Sequence, residues 1–477
     1  MKKWIIFFVF LSCINNVYSQ TWERAFGFTQ GKEEDAFAIC KLTDGNFIVG
    51  GEQEDINFVI SSRIIKVTPN GDSLWSKSIF VPNTEQCEIR ACYSLSEGGF
   101  IIAGGCLKLV DKSLSQTCFV GKLDNNGNVL WLKEYSANYV DYYINEIIEA
   151  NDGGLLCESP DFLMKVDDNG NYIWHKLSSY YGNANTYLSK FLKCSNDCYI
   201  GAIQDTQNSL NYIAKLSNTG EIIWKKQTAN YVYPELIVLN SDRIFALGAF
   251  RVTGTNYLRL VLQTYDTSGN YIQAKTNIIE RYEVFTRNFL RIDTSRFLFS
   301  TVTALTLDTH YCVSRILDTN LNILKTLKMT TFAGSRGIFS SILNGKYIYC
   351  AGYYRNLMMG GDDDFYVVKT DTNLNLLVSI GIKKLEAGTP DAYSLHQNYP
   401  NPFNPFTGIK FTLPEESLVK IEIFDITGRL TDKIVEKKMS AGTYEAVWNG
   451  TDKPSGIYFC KMTAGKYTKT IRMVMVK

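Results

Sequence analysis

Histidine is almost missing from this chain: three in 477 residues, at His175, His310 and His396. Nucleophile–base pairs and imidazole metal sites lean on that side chain, so both have few places to stand. His175 follows a repeated tryptophan where sister positions hold Ser76, Leu132 and Lys225, and His396 falls in a stretch that reads as a linker. Only His310 is left, and no partner motif surrounds it. Proline is scarce too, with ten in all, so few residues interrupt extended backbone. Charge bias is absent, with 49 basic against 48 acidic side chains. This removes the electrostatic signature of nucleic-acid or anionic-membrane binding. No apolar run approaches the roughly 20 residues a transmembrane helix needs.

What is present is apolar and aromatic. Hydrophobic residues make up 45% of the chain, with 29 tyrosines, 27 phenylalanines and 7 tryptophans, which excludes a disordered polypeptide. A chain of this length exceeds one small core, so two or more domains are expected. Frequent glycine with plentiful β-branched residues suits many short strands joined by tight turns.

A repeat decides the expected fold. Residues 66–75 (KVTPNGDSLW) recur as 122–131 (KLDNNGNVLW), 165–174 (KVDDNGNYIW) and 215–224 (KLSNTGEIIW), with looser copies at 264–273, 315–324 and 369–378. A second element, a turn and an apolar run, precedes several copies: 44–51 (DGNFIVGG), 97–105 (EGGFIIAGG), 152–156 (DGGLL) and 344–349 (NGKYIY). Turn residues between apolar segments signal hairpins, because Gly and Asp tolerate the positive φ of tight turns. Two hairpins per unit make four strands, and four strands every 50 residues or so are the pattern of a β-propeller blade. Seven copies predict an all-β, seven-bladed β-propeller over residues 20–380. Trp22 lies in a fragment, 21–27 (TWERAFG), that looks like the end of a repeat whose beginning is missing. It competes with residues 374–378 for the last fourth strand, and its tryptophan favours it as the closing strand.

Chemistry-bearing clusters have structural readings beside the functional ones. Asp124 and Asp167 open calcium-like turns, yet Gly stands fourth instead of sixth and the twelfth residues are Tyr135 and Ser178, so hairpin turns are expected and neither metal nor cofactor is assigned. Asp362, Asp363 and Asp364 precede an apolar strand and read as loop charge. The pairs Tyr142–Tyr143, Tyr180–Tyr181 and Tyr353–Tyr354 offer flat faces to a sugar or protein, or else split inward and outward.

At the N-terminus, Lys2 and Lys3, an apolar run and the residues up to Ser19 and Gln20 form a signal peptide, 1–19, cleaved between those two. A lipoprotein box at 10–13, ending on Cys13, would leave too short a signal. Removing Cys13 leaves eleven cysteines, without Cys-x-x-Cys pairs. Export permits disulfides, and Cys194 with Cys198 and Cys106 with Cys118 are the candidate pairs. Cys40, Cys157, Cys312 and Cys350 lie in apolar runs and read as small buried hydrophobes.

Beyond a linker at 381–397, the segment 398–477 opens on Tyr399, Pro400, Asn401, Pro402, Phe403, Asn404 and Pro405. It continues through Gly428, through Trp448 and Gly450, and through Ser455, Gly456 and Tyr458, among six or seven short alternating strands. This resembles the C-terminal sorting domain of bacterial type IX secretion. The resemblance implies a small immunoglobulin-like β-sandwich, recognised by the secretion machinery, that guides a Sec-exported protein from the periplasm to the outer-membrane surface or the medium. The chain thus reads as a secreted protein that binds a surface glycan or protein, with a carbohydrate-active enzyme (glycoside hydrolase or lyase) using carboxylates in the propeller mouth as the alternative.

Overall fold

The computed structural model describes residues 22–26, 34–54, 59–110, 113–135, 143–150, 152–194, 198–228, 236–239, 243–251, 258–279, 283–304, 310–329, 334–356, 363–374, 382–386, 390–399, 401–403, 406–450 and 453–476. These residues form nine four-stranded sheets, all built of antiparallel pairs, and one 3₁₀ turn at Ser178–Tyr181.

Seven sheets follow one another up to Asp371. The first runs from Glu34–Lys41 through Phe47–Glu54 and Ile60–Val67 to Ser73–Ile79, and each later sheet repeats that meander. The opening strands of successive sheets, Glu34–Lys41, Gln86–Ser94, Glu146–Glu149, Thr186–Cys194, Leu236–Leu239, Glu283–Arg291 and Gly334–Asn344, touch in sequence, and the last touches the first. Only three strands of the seventh sheet come from its own stretch of chain. Its fourth place is taken by Trp22–Phe26, paired with Asp363–Asp371 so that Trp22 faces Lys369. The same register joins Trp75 to Lys66, Trp131 to Lys122, Trp174 to Lys165 and Trp224 to Lys215. The N-terminal fragment therefore completes the last repeat. Across this seam Lys369 donates to the Pro69 carbonyl (3.2 Å), as Lys66 donates to the Asn125 carbonyl (2.7 Å), and Phe47 stacks on Tyr349 at 4.1 Å.

The repeat's turn explains its own sequence. Asp124 Oδ1 accepts the amides of Asn126 and Asn128 at 2.8 Å, and Asp167, Asp266 and Asp318 accept from the same offsets. Thr68 and Ser217 do so through their hydroxyls. This alignment corrects the sixth copy: Asp318 matches Asp124 and the bulge at Ile316/Leu317 matches that at Lys122/Leu123, so the unit begins at Ile316, not Arg315.

Three residues past each cap the backbone turns to positive φ, and the neighbouring sheet decides what fits there. A Cβ on Gly127, Gly170, Gly220 or Gly269 would lie 2.6–2.9 Å from the ring of Trp75, Trp131, Trp174 or Trp224 of the preceding sheet. Where the preceding sheet has no such tryptophan, leucine occupies the turn: Leu321 (φ 62°) and Leu374 (φ 54°) are buried and bear the left-handed backbone. Each joins a core shared with the sheet before it. A left-handed leucine costs about 1–2 kcal/mol, against roughly 1.5–3 kcal/mol returned by its burial.

The remaining two sheets share the core that contains Ile409, Phe411, Leu413, Val419, Ile421 and Ile423. One is ordered Ile382–Glu386, Gly442–Asn449, Phe406–Leu413, Ser394–Leu395, and the other Leu430–Met439, Ser417–Asp425, Gly456–Ala464, Tyr467–Met475. The stretch expected as a linker, 381–397, thus supplies two strands. Its strand character was hidden by the lysines and the Ala-Gly-Thr-Pro run, and is set by pairing with Gly442–Asn449 and Phe406–Leu413.

Gly170→Ala should destabilise the protein by about 2 kcal/mol or more, because the methyl meets Trp131 and the backbone is left-handed. Trp131→Ala should cost about 3 kcal/mol. Urea titration of the double variant should show less than the sum, and strict additivity would refute the pairing of ring and turn.

Candidate functional site

Six of these opening strands, Glu34–Lys41, Gln86–Ser94, Glu146–Glu149, Thr186–Cys194, Glu283–Arg291 and Gly334–Asn344, supply lining residues to a cavity of about 1030 Å³. Five of them carry a bulge or register shift: Glu283–Arg291 does so twice, and the other four between Ala36 and Ala38, Ile89 and Ala91, Ser189 and Phe191, and Ile338 and Ser340. A bulge leaves one residue unpaired and re-aims it. The residues released in those four strands, Phe37, Arg90, Lys190 and Phe339, line the cavity.

They assemble a continuous strip. Tyr353 lies 5.6 Å from Phe339, Phe339 lies 5.1 Å from Phe37, and the Arg90 guanidinium sits 4.6 Å from the Phe37 ring and 4.8 Å from that of Tyr143. The strip crosses from the seventh sheet through the first and second to the segment entering the third. Arg90 is anchored by an ion pair to Glu88 at 2.8 Å. Tyr143 and the carboxyl of Glu52 also feel the charge of Glu88. Burial, together with the charges of Glu88 and Asp35, pushes Glu52 up to about 8 against the opposing pull of Arg90, so Glu52 carries its proton at neutral pH. Glu52, Glu88 and Tyr143 border a small recess of about 60 Å³ with the Cys87–Cys106 disulfide.

A second carboxyl pair stands in the cavity wall. Glu146 and Glu158 are direct cross-strand partners, with Lys190 ion-paired to Glu146. Glu158 is 5% exposed, and burial, then the charge of Glu146, pushes it up to about 8 while Lys190 pulls the other way. Tyr93 donates to Glu149 (3.1 Å) and is pushed up to about 12, first by burial.

Of the tyrosine pairs, Tyr143 and Tyr353 join the strip, while Tyr142 and the Tyr354 side chain lie outside the described residues. Tyr181 is buried and donates to the Gly220 carbonyl (3.1 Å) while Tyr180 is exposed beside Glu221. That split arises in a 3₁₀ turn, not along a strand. His175 contacts Tyr172 (2.9 Å), His396 contacts Ser394 (2.9 Å), and the His310 side chain is not among the described residues. Asp362 and the side chains of Asp363 and Asp364 are also outside them. The oxygens of Asp124 and Asp167 are engaged by turn amides, and among the described residues no group of three His, Cys, Asp or Glu is arranged to hold a metal. Arg90, Glu52, Glu88, Glu146 and Glu158 were missed in the sequence, where they are charges within or at the ends of otherwise apolar strands; a charged residue at an inward position was the available signal.

The cysteine pairing is corrected. Cys106 lies opposite Cys87, to which it is bonded, whereas Cys118 lies opposite Gly105 and donates to the Tyr135 carbonyl. Cys194 and Cys198 are the other bonded pair, and Cys40, Cys157, Cys312 and Cys350 are buried thiols.

In the C-terminal sheets the motif residues grip the end of the chain. Asn401 accepts the Val474 amide (2.8 Å) and donates to the Arg472 carbonyl (3.2 Å), and Phe403 exchanges backbone bonds with Val474 and Val476. Phe403, Trp448 and Tyr458 pack ring to ring, at 5.4 and 4.8 Å, with Trp448 donating to Asp432 and Tyr458 to the Pro454 carbonyl. Gly428 supplies the positive φ of a turn capped by Asp425, and Gly450 accepts the Lys453 amide. Tyr399 is exposed, and Pro400, Asn404 and Pro405 lie outside the described residues.

A carboxyl held near 8 when folded and near 4.5 when unfolded contributes stability that is complete below about pH 4.5 and is lost as the pH rises to about 8. The thermal midpoint should therefore fall between about pH 5.5 and 8.5, and Glu158→Gln should shrink that fall. A variant with the parent's pH slope would show that Glu158 is not held protonated.

The comparisons with known proteins divide along the chain. Among curated proteins, none matches it. Solved structures that resemble it include the extracellular domain of a proposed one component system from B. thetaiotaomicron (11% identity, TM-score 0.42), of which the chain spans 56% while 93% of the chain is covered. Two others are the β-propeller domain of the Trilobed protease from Pyrococcus furiosus (10%, TM-score 0.39, 73% of this chain and 98% of that one) and an α-L-arabinanase of Penicillium chrysogenum complexed with arabinobiose (11%, TM-score 0.37, 72% and 93%). No helix among the described residues is long and apolar enough to cross a membrane. A family model, the secretion system C-terminal sorting domain, matches residues 397–477, and that segment is a sorting domain that directs export to the cell surface or the extracellular space.

Proposed function

We propose that residues 20–380 are a seven-bladed β-propeller closed by the Trp22–Phe26 strand, carried out of the cell by an immunoglobulin-like sorting domain after removal of a signal peptide, 1–19, and that it binds a surface glycan or protein ligand without turning it over. The observation that carries the binding reading is the strip Tyr353–Phe339–Phe37–Arg90–Tyr143, whose middle three residues line the cavity. Aromatic faces and a guanidinium plane on rigid strands suit the apolar face of a sugar ring or a partner's side chain.

One observation favours the enzymatic alternative. Glu146 and Glu158 face each other in register on the cavity wall, one ion-paired and the other protonated at neutral pH, which is the division of labour that acid catalysis on a glycoside uses.

A panel of glycans and polysaccharides, scored for retention and for new reducing ends, separates the two. Retention without product, weakened about tenfold or more by Phe37→Ala or Arg90→Ala, is expected. Product release abolished by Glu158→Gln would replace the binding reading with the enzymatic one.

The export route makes a separate prediction. Deletion of 399–477 should leave the protein in the periplasm, as read by fractionation of the producing cell. Normal surface display of the truncated chain would refute the proposed dependence on the sorting domain.

A further inference from the structure

Cys40 and Cys92 belong to different sheets and meet at one point. Cys40 is the cross-strand partner of Ile48 in the first sheet. Cys92, on the opening strand of the second sheet, reaches across the boundary to place its Sγ 3.9 Å from the Ile48 carbonyl oxygen. Each thiol lies within the other's electrostatic reach, they share the core between the first and second sheets, and both border the central cavity.

We infer that Cys40 and Cys92 are the site of a disulfide that staples the first sheet to the second, formed by exchange with a disulfide-bearing exchange protein outside the inner membrane. The inference rests on the export of the chain, because such oxidants act in the periplasm and not in the cytosol. The thiolate of one cysteine attacks the partner's disulfide to give a mixed disulfide, and the thiolate of the other displaces the partner. The Cys40–Cys92 bond forms, the partner's sulfur–sulfur bond breaks, and the partner leaves as a dithiol, having taken two electrons and, by way of solvent, the two thiol protons. Burial pushes the Cys92 thiol well up, so little thiolate is present in the finished fold and the exchange belongs to the folding chain. The bond would tie together the two sheets that carry Phe37 and Arg90, at the centre of the aromatic strip.

The test is a peptide map of the full-length protein recovered from the producing culture, denatured without reductant and alkylated. A linked peptide pair containing Cys40 and Cys92 is expected, together with the Cys87–Cys106 pair. Alkylated Cys40 and Cys92 beside an intact Cys87–Cys106 link would overturn the inference. If all four are alkylated, the chain has not met an oxidant, and the fault lies with the export reading. Refolding the same protein in a glutathione redox buffer then decides the pairing: Cys40 and Cys92 must link, and their recovery as free thiols overturns it. As a second readout, Cys40→Ser and Cys92→Ser should each lower the thermal midpoint without reductant, and by the same amount. Equal midpoints for the parent and both variants without reductant would also overturn it.

Discussion

A four-stranded antiparallel sheet has two faces and cannot bury both by itself. Everything upstream of the sorting domain follows from how each sheet passes that deficit to its neighbour. The contact that sets the spacing is small: an indole at the end of one unit lies against a turn of the next, and the turn must be glycine because a Cβ would enter the ring. Where the indole is missing, Leu321 and Leu374 fill the place at the expense of a left-handed backbone. Tryptophan and glycine, or a smaller contact and leucine, are two solutions to one packing problem. The degenerate repeats are compensated repeats.

The same packing explains the cavity. Sheets that bury their faces against their neighbours bring their opening strands together on one side, and bulges in four of those strands turn Phe37, Arg90, Lys190 and Phe339 toward the shared space. The cavity's chemistry comes from residues that a regular ladder would have kept in the sheets. Charges so enclosed must be paired or neutralised, and both outcomes are present. Arg90 is paired with Glu88 and Lys190 with Glu146, while Glu52 and Glu158 keep their protons.

The C-terminal domain answers a different demand. Its opening motif is a clasp on the last strand, through the side chain of Asn401 and the backbone of Phe403, with Phe403, Trp448 and Tyr458 in contact beneath it. Motif positions scattered over more than fifty residues are thereby one packed feature, which gives a physical reason for their occurring together.

Much of this was written locally. The Asp caps, the positive-φ glycines, the fifty-residue spacing and the alternation of Ile409, Phe411 and Leu413 depend on a few neighbouring residues, and the sequence alone determined the strands, the turns, the repeat and the sorting segment. The Trp22 fragment was legible as the missing end of the seventh unit for the same reason. What only the tertiary structure decided depends on strand register and on bulges, where a single unpaired residue changes which side chains meet. Register set Cys106 against Cys87 instead of Cys118. Long-range pairing made strands of the lysine-rich stretch after residue 381. Bulges brought Arg90 between Phe37 and Tyr143, side chains from three separate repeats whose approach no local pattern encodes.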